Sequence, residues 1–185
     1  MKRSIFSINL LIVILLTTTI LNAQGIPTRD TVVMGPNYAD DVYYSFSDGV
    51  VAKAARDTWD IAFYTNAFSA GVMTNEGKVN GIQLFTYPNG DINDWATVDT
   101  SGMNWTKVMY NSAEYWEEGA FNANSKDHPD YGWGIYNSVD HNVYGDSIFV
   151  ITNGDWIKKL MIEKKESALN IYHFTYANLD GSNEQ

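Results

Sequence analysis

Apolar and polar residues alternate through most of the chain with the two-residue period of β-strands, and no long stretch carries the 3.6-residue stripe of a helix. The clearest run is Thr58-Trp59-Asp60-Ile61-Ala62-Phe63-Tyr64. It places Trp59, Ile61 and Phe63 on one face and Asp60, Ala62 and Tyr64 on the other. Turn-forming residues bound it at Asp48-Gly49 and Ser69-Ala70-Gly71. Burying its three large side chains is worth on the order of 5 kcal/mol, so this run is expected to be a central strand. Truncating Trp59 to alanine is then expected to cost about 3–5 kcal/mol. Asp60 is expected either to face solvent or to hydrogen-bond to a turn.

The same pattern predicts further strands in order. Thr31–Met34 comes first and ends at the turn Gly35-Pro36-Asn37. Val42–Phe46 and Val50–Ala52 flank a hairpin at Ser47-Asp48-Gly49. Gly71–Thr74 and Gly81–Tyr87 are joined through Asn75-Glu76-Gly77. Periodicity fades between Ile92 and Lys126, where a structureless loop would be too long for a compact domain; Glu114–Glu118 is the expected helical turn there. Tyr131–Tyr136 alternates large side chains with glycine, which permits close backbone approach. Three final strands, Ser147–Thr152, Trp156–Glu163 and Ala168–Ala177, are joined by Asn153-Gly154-Asp155 and Lys164-Lys165-Glu166. Ile157 differs in parity from Leu160 and Ile162, which demands a bulge or burial on both faces. The pattern predicts an all-β fold, an antiparallel sandwich or distorted barrel with short irregular or helical insertions in the middle. It forms a single domain over residues 31–179, with a polar tail at 180–185.

The first residues read as an address. Lys2 and Arg3 precede the apolar run Leu10–Leu16, and Leu21-Asn22-Ala23 offers a cleavage site, so residues 1–23 are expected to be a signal peptide and 24–30 a flexible lead. The protein is thus expected to be secreted or held at the cell surface, with no membrane span. With 45% hydrophobic and 18% charged residues among 185, the rest suits one globular domain. The net charge of −10 disfavours nucleic acid and anionic membrane surfaces. The absence of cysteine excludes disulfides, thiolate metal sites, cysteine nucleophiles and attachment through a lipidated cysteine.

Three stretches carry a resemblance. They are the aspartate-glycine hairpin followed by Trp59-Asp60-Ile61-Ala62-Phe63 and the Asn75–Gly77 turn; Asp146–Ile151 followed by Gly154–Leu160; and Tyr172-His173-Phe174-Thr175-Tyr176-Ala177. Together they resemble the HmuY family. The resemblance implies an all-β haem-binding protein of the secreted or surface-held kind found in Gram-negative anaerobes, non-enzymatic, with two side chains as axial iron ligands. It implies delivery of haem to an outer-membrane receptor. The typical member is a lipoprotein, and this chain departs from that pattern in lacking the cysteine. The chain is also similar to the N-terminal part of longer secreted proteins that carry a C-terminal sorting domain.

Among the three histidines, His128 and His141 bracket the Tyr131–Tyr136 run in turn-like settings. Two imidazoles on loops around an aromatic surface suit the two faces of a haem iron, with Tyr131, Trp133 and Tyr136 covering the porphyrin. The adjacent Asp127 and Asp140 would raise imidazole basicity if they reached the second ring nitrogen. The alternative is two exposed loop histidines. Met73, Met103 and Met109 are other soft ligands or core side chains, and His173 is a sheet residue. Trp95, Trp105, Trp116 and Trp133 lie in the least periodic region, which is expected to build a binding face. The competing function is an adhesion or interaction module that binds carbohydrate, such as a surface glycan, or a protein partner through that aromatic surface without haem. Hydrolytic chemistry has little support: Glu117 and Glu118 are adjacent and would point about 100° apart on a helix, and no Gly-x-Ser-x-Gly or His-Glu-x-x-His motif is present.

Overall fold

The computed structural model describes residues 29–185 apart from Val79. The expected signal peptide (1–23) and most of the lead lie outside the described residues. Among these residues ten strands are assigned: β1 (Asp40–Ser45), β2 (Gly49–Ala55), β3 (Ile61–Phe63), β4 (Val72–Thr74), β5 (Gln83–Thr86), β6 (Gly134–Tyr136), β7 (Val143–Gly145), β8 (Ile148–Thr152), β9 (Ile157–Glu166) and β10 (Ile171–Asn178). All pairings are antiparallel. The architecture is all-β, as the alternation predicts.

The organising strand is β9 and not the tryptophan run. β10 pairs along one edge of β9; β8 and β7 follow one another along the other, extended outward by β5 and β6. The tryptophan run yields only β3, three residues paired with β4 in a separate two-stranded ribbon. Trp59 is half-buried and precedes the strand. The alternation there is real but short. Ile61 and Phe63 pack on the core, while Asp60 takes Lys78 Nζ at 2.6 Å, which leaves the ribbon as a cover on the sheet.

The register sorts the sheet into two faces. Leu84, Phe149, Ile151, Leu160 and Ile162 point to one side and form the main core with Val72, Phe121 and Trp133. Phe85 and Val150 point to the other, where they meet Met103, Val108 and Ile157. Ile157 is therefore buried on the opposite face from Leu160, one of the two solutions its parity allowed. A bulge also occurs, further along. His173 pairs Lys164 while Phe174 pairs Ile162, so Glu163 is unpaired. The extra residue reverses the parity of β9 and brings Lys165 round to the main-core side.

Among the described residues no strand lies beside the ribbon's outer edge, and two asparagines take that place. Asn122 Oδ1 accepts from Val72 N–H (3.0 Å), and Asn111 bonds both the N–H (3.1 Å) and the C=O (2.8 Å) of Thr74. Asn122 Nδ2 also donates to Ala70 C=O (3.1 Å) and Tyr131 C=O (2.8 Å). A buried edge must be satisfied, and these amides tie it to the irregular middle of the chain. In that middle the helical turns are of 3-10 type and lie at Ile92–Thr97 and Ala120–Asn122, not at Glu114–Glu118. Asp91 caps the first through Asn93 N–H (2.8 Å).

Other expectations shift at their ends. No strand forms at Thr31–Met34. Lys164-Lys165-Glu166 lies inside β9 and the turn falls at residues 167–170. The tail at 180–185 is not free: Gln185 exchanges backbone hydrogen bonds with Tyr176 (3.0 Å each). Gly134 and Gly145 are register partners, and a Cβ at Gly145 would lie 1.8 Å from Ile162 O, so close approach of backbones does require glycine there. Among the described residues no helix is long and apolar enough to cross a membrane.

Among the described residues the β1–β2 hairpin pairs with no other strand, and Tyr43, Tyr44, Val50 and Val51 face water, with Phe46 fully exposed at the turn. It is held at its base, where Asn75 Nδ2 donates to Arg56 C=O (2.5 Å). A two-stranded ribbon is marginal by itself. Amides of β1 and β2 are therefore expected to exchange with solvent orders of magnitude faster than those of β8 and β9, as read by native-state hydrogen exchange. Equal protection would mean the hairpin is part of the cooperative core.

Candidate functional site

Four of the five residues singled out in the sequence for the ligand, His128, Tyr131, Tyr136 and His141, line one cleft of about 540 Å³. That is within the range of small-ligand sites. The cleft opens between the β3–β4 connection (Ala67, Phe68, Ser69, Ala70), the β6–β7 hairpin and the β9–β10 turn (Ser167, Ala168). Its walls are mainly apolar, with Val143 at the side and Phe68, 90% exposed, at the rim.

Local bonding fixes each histidine loop. The turn before β6 is organised by Asp130, whose carboxylate accepts from the N–H groups of Gly132 (2.7 Å) and Lys126 (3.2 Å). Tyr136 N–H donates to Pro129 C=O (2.8 Å), which pins the residue after His128 to β6. The β6–β7 turn closes through Asn137 N–H to Asn142 C=O (2.8 Å) and His141 N–H to Asn137 C=O (2.9 Å). His141 sits there at φ 61°, a left-handed conformation in which histidine is enriched among non-glycine residues. Asn142 Oδ1 in turn accepts from Ser167 N–H (3.2 Å), joining this hairpin to the β9–β10 turn.

Both imidazoles are exposed and pack on the same ring. The Tyr136 centroid is 5.1 Å from that of His128 and 6.0 Å from that of His141. The Tyr136 hydroxyl lies 2.5 Å from His141 Nδ1. The two aspartates expected to support the imidazoles do not. Asp140 accepts from Tyr144 O–H (2.5 Å) and Asn142 N–H (3.1 Å), which holds its carboxyl below the usual range. Among the described residues no hydrogen bond joins Asp127 to His128. The second nitrogen of His141 is served by a phenol instead.

Trp133, expected on the ligand face, is fully buried in the core, with its Nε1–H donated to Ala70 C=O at 2.8 Å. The glycines on either side let the chain press its indole inward. The other three tryptophans do not share a face either. Trp95 donates to Glu184 (2.8 Å) with Lys159 Nζ 4.6 Å above its ring. Trp105 meets Phe85 edge-on at 5.1 Å on the opposite side of the sheet, and Trp116 is 80% exposed beside a smaller cleft. The region from Trp95 to Tyr136 thus covers the sheet in several places and does not form one aromatic surface. Met103 and Met109 are buried, with Met109 Sδ accepting from Thr86 Oγ1 (3.0 Å). His173 lies on β10 with its Nε2 3.0 Å from Glu166.

The sequence reading missed the opposite wall. Lys165, placed by the bulge, is buried and donates to the carbonyls of Asn66 (2.5 Å) and Ser69. It thereby holds the loop that carries Phe68, and burial pushes its ammonium pKa down. Burial also raises the Tyr131 phenol. Lys165 hides in a charged run that reads as a turn, and only the bulge reveals it.

Two imidazoles leave most of a metal's coordination to be filled from elsewhere, and an iron porphyrin brings four nitrogens of its own. The donor set and apolar walls of the cleft fit that group. A protein-family model described as HmuY protein matches residues 37–179. No curated protein and no solved structure matches the chain.

Proposed function

The chain belongs to the HmuY family, and on that footing we propose that it is an exported, non-enzymatic binding domain that takes haem into the cleft between the β3–β4 connection and the β6–β7 hairpin. His128 and His141 are the proposed axial ligands. The observation that carries this reading is the packing of both exposed imidazoles on Tyr136 at the mouth of one apolar-walled cleft. Haem supplies an iron with two axial positions at the centre of a flat, largely apolar ring. The chain supplies the rest. Tyr131 and Tyr136 offer ring faces, Val143 and Phe68 offer apolar contact, and Lys165 keeps the Phe68 loop in place.

Delivery of the haem to an outer-membrane receptor completes the proposal and follows from the family resemblance. The relation to longer sorting-domain proteins rests on the same resemblance, whereas export through residues 1–23 rests on the basic start and apolar run of that segment, and the departure from the lipoprotein pattern on the lack of cysteine. The reading without haem, with carbohydrate or protein bound on an aromatic surface, is weakened by the divergence of the tryptophans.

Titration of the purified domain with haemin, followed by absorbance, tests the proposal. A Soret band that sharpens, shifts and saturates at one equivalent is the expected outcome. An unshifted spectrum at micromolar haemin would exclude haem as the ligand.

A further inference from the structure

Resting on the haem reading above, we infer that Tyr136 is a positioning residue: its hydroxyl fixes the His141 ring so that Nε2 is the nitrogen presented to iron, and it tunes that bond. The hydroxyl oxygen lies 2.5 Å from His141 Nδ1, so Nδ1 already has a partner and Nε2 is the ring nitrogen left for a ligand. A neutral imidazole carries one proton on its two nitrogens. With the phenol donating to Nδ1, the ring proton sits on Nε2. For Nε2 to present its lone pair to iron, that proton would pass to Nδ1 through solvent and be donated to the phenol oxygen, whose own hydrogen would turn to solvent. The hydrogen bond reverses direction and the protein neither gains nor loses a proton.

An Nδ1–H donor bond raises the basicity of the coordinating nitrogen, a place usually filled by a carboxylate or a carbonyl. Here the neighbouring carboxylate of Asp140 is committed to Tyr144, and the phenol takes the role. The effect is larger on ferric than on ferrous iron, because the more charged ion gains more from a basic ligand. The same ring also packs on His128, at 5.1 Å. Replacing only the hydroxyl therefore separates the hydrogen bond from the packing.

The test compares wild type with Tyr136→Phe. In the variant, ferric haemin binding is expected to weaken by about tenfold, the lower end of what lost outer-shell partners cost. If ferrous affinity is unchanged, that factor raises the one-electron midpoint potential by about 59 mV. In the ligand-free protein, long-range 1H–15N NMR of the His141 ring is expected to show a changed Nδ1–H to Nε2–H balance. Because the losses act through His141, they should vanish when Tyr136→Phe is made in a His141→Ala background. Wild-type affinity and potential in Tyr136→Phe, with haemin still bound, would overturn the role of Tyr136 and leave the haem reading intact; losses that persist without His141 would also overturn it. Absence of haemin binding by the wild type would remove both together.

Discussion

Trp133→Ala is expected to remove about 3–5 kcal/mol of folding stability, the range for deleting a buried large aromatic side chain. Trp133 is fully buried between the ribbon and the main sheet, where it meets the β3–β4 connection and Tyr172, whose ring centroid is 6.2 Å away. Two losses combine. The cavity cannot collapse, because Gly134 and Gly145 already bring the backbones into contact and leave little slack on that side. The Nε1–H to Ala70 bond is also lost, although Asn122 still donates to the same carbonyl. Thermal or urea denaturation measures the change. Trp59→Ala serves as the comparison; with a half-buried side chain outside the strand, it is expected to cost well under the Trp133 value. Equal losses at the two positions would restore the tryptophan run as the organising element and contradict the architecture described here.

The His128→Ala, His141→Ala double variant is expected to lose the saturable Soret band while still folding, with a melting temperature somewhat below wild type because alanine is strained in the left-handed backbone at position 141. Both side chains are exposed and neither belongs to the core, so stability has little to lose. Binding has much to lose, because His128 and His141 are the imidazoles that line the cleft among the described residues. Each single variant should weaken haemin by more than the roughly 10–100-fold that an outer-shell partner is worth, since it removes the iron bond itself. His173→Ala is the control: its imidazole pairs with Glu166 and is not among the residues lining the cleft. Haemin binding that survives the double variant would move the ligand elsewhere.

The all-β class and the hairpins were legible because the two-residue period survives wherever one face is buried. That period also located β8, β9 and β10 to within a few residues. What it could not reveal was which strand lies at the centre. Trp59-Asp60-Ile61 alternates more cleanly than Ile157–Glu166, yet β9 pairs with three strands and is buried on both faces, which blurs its alternation. The bulge at Glu163 blurs it further, and it hid Lys165. The two histidines and two tyrosines of the cleft could be found because polar rings on turns beside a glycine-interrupted strand stand apart from core patterning. Trp133 misled for the same reason. A glycine on each side can either expose an indole or bury it against a neighbouring backbone, and only the register between Gly134 and Gly145 decides. Asn111 and Asn122 read as loop residues, since nothing local reveals that their amides close the edge of a strand 37 to 50 residues away.

The central claim is that one iron is held by two histidines in this cleft, and the spin state of the ferric complex tests it most directly. Electron paramagnetic resonance of the haemin complex is expected to show a low-spin ferric signal, since two imidazoles give a strong axial field. His128→Ala and His141→Ala, taken singly, should each convert it to high spin. A high-spin wild-type complex, or a low-spin signal that persists in either single variant, would contradict axial ligation by His128 and His141.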